Sequence, residues 1–178
     1  MIVREASLND APAIARVHVD TWRTAYRGIV PEDHLAKLSY DKRVNIWAQM
    51  LSTATEDNHF VYVVEDRTGQ IIAFADGGPE RTSDPVYKGE LYAIYILDAY
   101  QRQGIGRRLT LSVVERLSQL EFNSMLVWVL ADNPACRFYK ALGGQKVYEK
   151  QIEIGGVVFN ELAYGWTDTR VLMAGYSS

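Results

Sequence analysis

A glycine-rich loop between an apolar segment and an amphipathic segment constrains the fold of this chain most strongly. Residues 90–97 read Glu-Leu-Tyr-Ala-Ile-Tyr-Ile-Leu, a short run rich in β-branched and aromatic residues that predicts a buried strand. The sequence Gln-Arg-Gln-Gly-Ile-Gly follows at 101–106, and apolar residues then recur every three or four positions as far as Leu120. That spacing is typical of one face of a helix. The predicted order is therefore strand, glycine loop, helix.

This arrangement suits an anionic ligand. The first N–H groups of a helix have no intrahelical partner, and the macrodipole makes that end positive, so a phosphate can bind there. Gly104 and Gly106 lack a Cβ, which permits close approach and unusual backbone dihedral angles. Arg102, Arg107 and Arg108 add positive charge. We therefore expect the loop to bind phosphate.

Two well-known phosphate loops do not fit the segment. A dinucleotide-binding loop needs a third glycine where this chain has Leu109, and a P-loop needs Gly-Lys followed by Ser or Thr. The pattern Gln/Arg-x-x-Gly-x-Gly/Ala is matched throughout residues 101–106. In this respect the chain resembles the GNAT family, the Gcn5-related N-acetyltransferases. The alternative is a helix that begins with glycines and binds no ligand.

The resemblance implies acetyl-CoA (coenzyme A) as the cofactor. Family members bind its pyrophosphate on this loop and hold its pantetheine arm along the preceding strand. The implied cofactor-binding residues are Ile94, Ile96, Leu97, Gln101, Arg102, Gln103, Gly104, Ile105, Gly106, Arg107, Asn133 and Tyr139. For Asn133, helix capping is an equally good interpretation.

Two catalytic residues are also implied by the resemblance. Tyr139 matches a tyrosine that lies near the cofactor sulfur in many members and can donate a proton; the alternative is a core tyrosine. Glu90, eleven residues before Gln101, matches a glutamate that acts as general base in the histone-acetylating branch. The alternative for Glu90 is a surface residue at a strand end. Strand alternation predicts one shared face for Glu90, Tyr92, Ile94 and Ile96.

The acceptor is expected to be an amine carried by a small molecule or a peptide. The first long helix commonly walls the acceptor pocket in the family, so the predicted substrate contacts are Trp22, Tyr26, Glu90 and Tyr92. His18, Trp22 and Tyr26 recur every four residues, and an aromatic stripe at this spacing is more often core. A homodimer is possible, since dimers are frequent among similar proteins.

Composition restricts the remaining classes of function. The 178 residues are enough for one domain, and 48% hydrophobic with 23% charged residues is typical of a globular protein. A net charge of −3 disfavours nucleic-acid binding. With no long apolar run, no signal-peptide pattern and only Cys136 as cysteine, we expect a cytoplasmic protein without a membrane partner. His34 and His59 lack neighbours at metal-ligand spacing, so no metal site is expected.

The predicted order of elements resembles that of the whole GNAT domain, and this resemblance implies the fold class. We expect an α/β (α+β) single-domain GNAT acyl-CoA acyltransferase fold, with a mixed, mostly antiparallel sheet of about seven strands flanked by helices. The predicted domain spans residues 1–166. Residues 167–178 are expected to form a loose C-terminal tail, and residues 77–89 an exposed loop.

The predicted function is acetyl-CoA-dependent N-acetyl transfer to a primary amine by direct attack in a ternary complex. The amine must lose a proton, the carbonyl oxygen needs a hydrogen-bond donor, and the leaving sulfur must gain a proton. Neither a metal nor a covalent enzyme nucleophile is required. The alternative is a catalytically silent acyl-CoA-binding sensor or regulatory module. The sequence does not identify the acceptor.

Overall fold

Within residues 1–175, seven strands form one mixed sheet in the order β1-β2-β3-β4-β5-β7-β6. A computed structural model describes residues 1–175 of the chain. The strands are β1 (Ile2–Glu5), β2 (Phe60–Glu65), β3 (Ile71–Pro79), β4 (Gly89–Ile96), β5 (Met125–Leu130), β6 (Gln145–Ile154) and β7 (Val157–Trp166). Neighbouring strands are antiparallel except β4 and β5, which are parallel. The predicted mixed, mostly antiparallel sheet is confirmed.

Helices cover both faces of this sheet. Those of the described chain are α1 (Ala11–Ala25), α2 (Glu32–Ala36), α3 (Tyr40–Thr53), α4 (Ile105–Gln119), α5 (Ala135–Ala141) and α6 (Arg170–Ala174). On one face, Ile14 and Val17 of α1 and Trp47 of α3 pack against Phe74 of β3. Helix α4 packs on the opposite face. Among the helices of residues 1–175, none combines the length and apolarity that a membrane crossing requires.

Helix α4 is anchored by the apolar face that its sequence predicts. Leu109, Val113 and Leu117, four residues apart, are fully buried in the larger core. Burying each of these side chains contributes about 1.5–3 kcal/mol. Because α4 connects the parallel strands β4 and β5, its position also fixes the glycine loop at its start.

A β-bulge in β4 changes which side chains share a face. Asp76 pairs with Ala93 and Gly77 pairs with Leu91, so Tyr92 is the additional residue. Leu91 therefore lies in the same core cluster as two residues further along the strand, Ile94 and Ile96.

Glu90 and Tyr92 lie on the other face of β4. A Cβ on Gly89 would lie 2.7 Å from Leu117, so Gly89 faces α4 and the next residue, Glu90, faces away from it. Similarly, Gly77 faces Val113 of α4, whereas a Cβ on Gly78 would lie 2.7 Å from the Tyr92 hydroxyl. The predicted single face for Glu90, Tyr92, Ile94 and Ile96 is therefore wrong, because alternation does not continue through a bulge.

Two other expectations also need correction. Strand β3 extends through Gly77 and Gly78, both buried, so the predicted loop at 77–89 begins later than expected. The prediction of a loose tail at 167–178 is wrong for the segment that forms α6. Leu172 of α6 is only 8% exposed and packs in the core cluster that contains the buried residues of α4. The rest of the predicted tail, residues 176–178, lies outside the described residues.

Candidate active site

Strands β4 and β5 pair only where they begin. Their ladder joins Gly89–Leu91 to Met125–Val127. Beyond it, β4 continues along β3 as far as Ile96, and β5 continues along β7 as far as Leu130. The two strands therefore diverge and leave between them a slot, formed by residues 92–96 and 128–130, which we call the strand slot. Backbone groups that face such a gap can bind an extended ligand.

The glycine loop lies at the open end of the strand slot. Gly104 is the N-cap of α4, with a left-handed φ of +77°, and no side chain of the described chain caps this end. A Cβ on Gly104 would meet nothing within 4 Å, so the backbone conformation, and not a lack of space, favours glycine there. A Cβ on Gly106 would lie 3.0 Å from Phe138 and 3.4 Å from Ile96. Gly106 thus allows α4 to pack closely against α5 and the end of β4.

The polar residues of the loop have different surroundings. Gln101 donates a hydrogen bond to the Ile96 carbonyl at 3.2 Å, and Gln103 donates to Ala99 at 3.3 Å, so both side chains stabilise the loop itself. Arg102 is exposed, with a left-handed φ of +60°. Arg107 extends toward the end of α6, where a Cβ on Gly175 would lie 3.1 Å from its Nη2.

Glu90 is buried in an ion pair that the sequence did not indicate. It is 2% exposed, and its Oε1 lies 2.6 Å from Nη2 of Arg81. The Nε and the backbone N–H of Arg81 each donate to Oε2 at 3.2 Å. These hydrogen bonds raise the pKa of Arg81, whose guanidinium also lies 4.4 Å from the ring centroid of Tyr92. Both carboxylate oxygens of Glu90 are therefore engaged by one cation.

Tyr139 lies in the core between other aromatic residues. It is 4% exposed, and its ring contacts those of Phe138 and Tyr164 at centroid distances of 5.3 and 6.1 Å. Burial raises the pKa of the Tyr139 hydroxyl, and the neighbouring hydroxyls of Tyr95 and Tyr26 raise it further. The hydroxyl therefore keeps its proton at neutral pH.

The predicted acceptor residues Trp22, in α1, and Tyr26, directly after it, form a second aromatic cluster with Tyr95. The Trp22 indole N–H donates to the Tyr95 hydroxyl at 3.0 Å, and the Trp22 and Tyr26 rings lie 4.5 Å apart. Asn133 donates to the Tyr26 hydroxyl at 3.2 Å and accepts from the Ala135 backbone N–H at 2.9 Å. Asn133 thus caps the start of α5 and binds it to α1.

Tyr95 is a residue of this cluster that the sequence did not indicate. If the alternation of side chains along β4 is counted again from the bulge, Tyr95 lies on the face of the sheet that packs against α1. His18, by contrast, is half-buried and contacts Trp47 of α3. It accepts a hydrogen bond from Trp47 at 3.2 Å, and burial lowers the pKa of His18 to about 3. In residues 1–175, no three His, Cys, Asp or Glu side chains lie close enough together to hold a metal ion.

Comparison with known proteins gives the family. The family model described as FR47-like protein matches residues 82–152, which include the glycine loop and Tyr139. The uncharacterized N-acetyltransferase YuaI of Bacillus subtilis (strain 168) is 43% identical over 170 residues, which cover 96% of this chain and 95% of YuaI. The chain therefore belongs to the GNAT family, and its class is that of the acetyltransferases.

Solved structures share the fold. Ribosomal-protein-alanine N-acetyltransferase from Brucella melitensis has a TM-score of 0.73 and 22% identity, with 93% of this chain and 99% of that chain covered. The PaiA N-acetyltransferase from Thermoplasma acidophilum, solved in complex with coenzyme A, has a TM-score of 0.70 and 17% identity, with 93% and 98% covered. The predicted GNAT fold is confirmed by these similarities.

Proposed function

We propose that the protein is a cytoplasmic enzyme that transfers the acetyl group of acetyl-CoA to a primary amine by direct attack in a ternary complex. The observation that carries this proposal is the divergence of β4 and β5 next to the uncapped, glycine-initiated start of α4. Coenzyme A combines a diphosphate with a long, amide-containing arm. The loop suits the diphosphate and the strand slot suits the arm. The structurally similar PaiA enzyme, which was solved with coenzyme A, supports this cofactor.

The chemistry assigns separate tasks to the protein. The bound cofactor supplies an acetyl thioester, which an amine attacks at the carbonyl carbon. Backbone N–H groups of the strand slot stabilise the negative charge that develops on the carbonyl oxygen. Tyr139 donates its proton to the leaving sulfur. Burial raises the pKa of its hydroxyl, so the group carries this proton at neutral pH and donates it only to the strongly basic leaving thiolate.

Glu90 was predicted by resemblance to be the general base, and this role stays a prediction. Its carboxylate would have to release hydrogen bonds from Arg81 before it could accept a proton. We propose instead that the Arg81–Glu90 ion pair holds Tyr92 in place. The face of β4 that carries Glu90 and Tyr92 is called the acceptor side.

The acceptor side favours a cationic amine with an apolar body. Trp22, Tyr26 and Tyr92 supply aromatic surface, while buried carboxylates lie on the same face of the sheet. A polyamine, an aminoglycoside, an amino acid and a peptide amine are all cationic; among them, polyamines and amino acids or peptides with apolar side chains also present apolar surface.

The decisive experiment measures thiol release from acetyl-CoA in the presence of one member of each amine class. Mass spectrometry of the product should show one added acetyl group on the amine. We expect at least one amine to raise thiol release above the rate without amine. Tight binding of coenzyme A without turnover of any amine would instead favour a silent sensor module.

A further inference from the structure

Asp76 in β3 is a buried carboxylate that lacks half of its hydrogen bonds. It is 3% exposed, and its Oδ2 lies 3.1 Å from Nε2 of His59. Its Oδ1 is sealed from solvent, and no donor within residues 1–175 reaches it. The other two buried carboxylates of residues 1–175, Asp10 and Glu90, accept hydrogen bonds on both oxygens from an arginine. An unsatisfied buried oxygen is costly, so its retention calls for a functional explanation.

The position of Asp76 places this oxygen at the acceptor side. Asp76 pairs with Ala93 at the bulge, level with the point where β4 leaves β5. Because Gly77 faces α4, its neighbour Asp76 faces the opposite side of the sheet. That is the side on which Glu90 and Tyr92 lie.

The guanidinium group close to Asp76 is shared with another carboxylate. His59 precedes β2, Arg81 follows β3, and Tyr92 and Tyr95 face it from β4. Arg81, although close enough to interact, is bound to Glu90. Burial raises the pKa of Asp76, and the hydrogen bond from His59 only partly opposes this effect. Asp76 therefore holds a proton more readily than an exposed aspartate does.

We propose that Asp76 takes the proton of the acceptor's ammonium group on Oδ1, once the bound acceptor displaces the side chains that cover this oxygen, and that His59 is the positioning residue that holds Oδ2. This inference rests on the proposed acetyl transfer. The N–H bond breaks and Asp76 gains the proton. The freed lone pair forms the C–N bond as the C–S bond breaks. Tyr139 protonates the sulfur and regains a proton from the acylated nitrogen, and the proton on Asp76 passes to solvent as the product leaves.

The test compares the pH dependence of kcat/KM for wild type, Asp76→Asn and Glu90→Gln with an amine that wild type acetylates. Asp76→Asn should lower kcat/KM by about 10²-fold at pH 7. The loss should shrink as the pH approaches the amine pKa of about 10.4, because the amine then arrives without its proton. Glu90→Gln should show a loss that does not vary with pH. His59→Gln, which keeps a donor for Oδ2, should show a smaller loss than Asp76→Asn.

Coenzyme A affinity, measured by calorimetry, should be unchanged in Asp76→Asn and reports that the variant is folded. If that variant does not fold, Asp76→Ala with added formate replaces it, and formate should restore part of the rate. An Asp76→Asn loss that is constant with pH, or no restoration by formate, would overturn the role of Asp76 while acetyl transfer stands. A shrinking loss in Glu90→Gln alone would assign the proton to Glu90. If wild type acetylates no amine, the proposed function itself fails and this inference fails with it.

Discussion

Arg81 holds the carboxylate of Glu90 through both of its oxygens, with an Nη2–Oε1 distance of 2.6 Å and an Nε–Oε2 distance of 3.2 Å. The contact joins the loop after β3 to the strand at the edge of the slot. Since Glu90 is buried and Arg81 is half-exposed, the pair stabilises the fold mainly by satisfying a carboxylate that cannot reach water.

Removing the cation should therefore destabilise the protein. We expect Arg81→Met to lower the free energy of unfolding by about 2 kcal/mol, because the Glu90 carboxylate then stays buried without its partner. The double variant with Glu90→Gln should recover most of this loss. Urea unfolding measures both effects, and Arg170→Met, whose partner Asp168 is exposed, is a control expected to change little. A double variant as unstable as Arg81→Met would contradict this account.

Cofactor binding should depend on the left-handed glycine at the start of α4. Gly104→Asp places a negative charge at the phosphate position, and we expect coenzyme A affinity to fall by about 10²-fold. Gly69→Asp is the matched control, since Gly69 also has a left-handed φ, of +83°, and open space around it. Both variants carry a similar backbone strain, about 1–2 kcal/mol. Calorimetric titration with coenzyme A should separate them; equal affinities would remove the loop from the site.

Turnover should depend on the hydroxyl of Tyr139. We expect Tyr139→Phe to lower kcat by about 10²-fold with little change in coenzyme A affinity, because only proton donation to the sulfur is lost. Tyr164→Phe removes a hydroxyl from the neighbouring buried ring and should keep most of the activity. Steady-state thiol release gives kcat for both variants. A Tyr139→Phe enzyme with wild-type turnover would leave Tyr139 as a core residue only.

Asp76 should lower stability at neutral pH. Burial raises its folded pKa above the unfolded value of about 3.9. The favourable contribution of the Asp76 carboxyl group to the free energy of unfolding is therefore fully present below about pH 3.9 and is lost as the pH rises through the folded pKa. Asp76→Asn avoids the buried charge, so it should raise the free energy of unfolding at pH 7 by about 1–3 kcal/mol. The gain should shrink as the pH falls toward 4.

Asp10→Asn is a control that we expect to change stability in the direction opposite to Asp76→Asn. Arg4 lowers the pKa of Asp10, so the stability from Asp10 is present above its unfolded pKa and is lost as the pH falls. Asp10→Asn should therefore destabilise the protein at pH 7. Thermal melts between pH 4 and 8 compare the two variants. Destabilisation by Asp76→Asn at pH 7 would show that Oδ1 of Asp76, like Oδ2, has a structural partner.

Local patterns in the sequence predicted most of the elements. The four-residue spacing of Leu109, Val113 and Leu117 is a property of one helix, and it holds in the core. The role of the loop glycines was equally predictable from the sequence, because a left-handed φ at Gly104 is a local requirement. A charged residue inside the apolar run of β3 was a further signal, which could have drawn attention to Asp76.

The sequence by itself determined the strand–loop–helix unit and, through it, the family resemblance, since short-range spacing and backbone preference decide both. Only the tertiary structure decided which side chains meet. The bulge at Tyr92 places Glu90 on the acceptor side, where Arg81 binds its carboxylate. Oδ1 of Asp76 has no hydrogen-bond donor within residues 1–175. Strand register and ion pairing depend on contacts between segments far apart in the chain, and no local pattern contains that information.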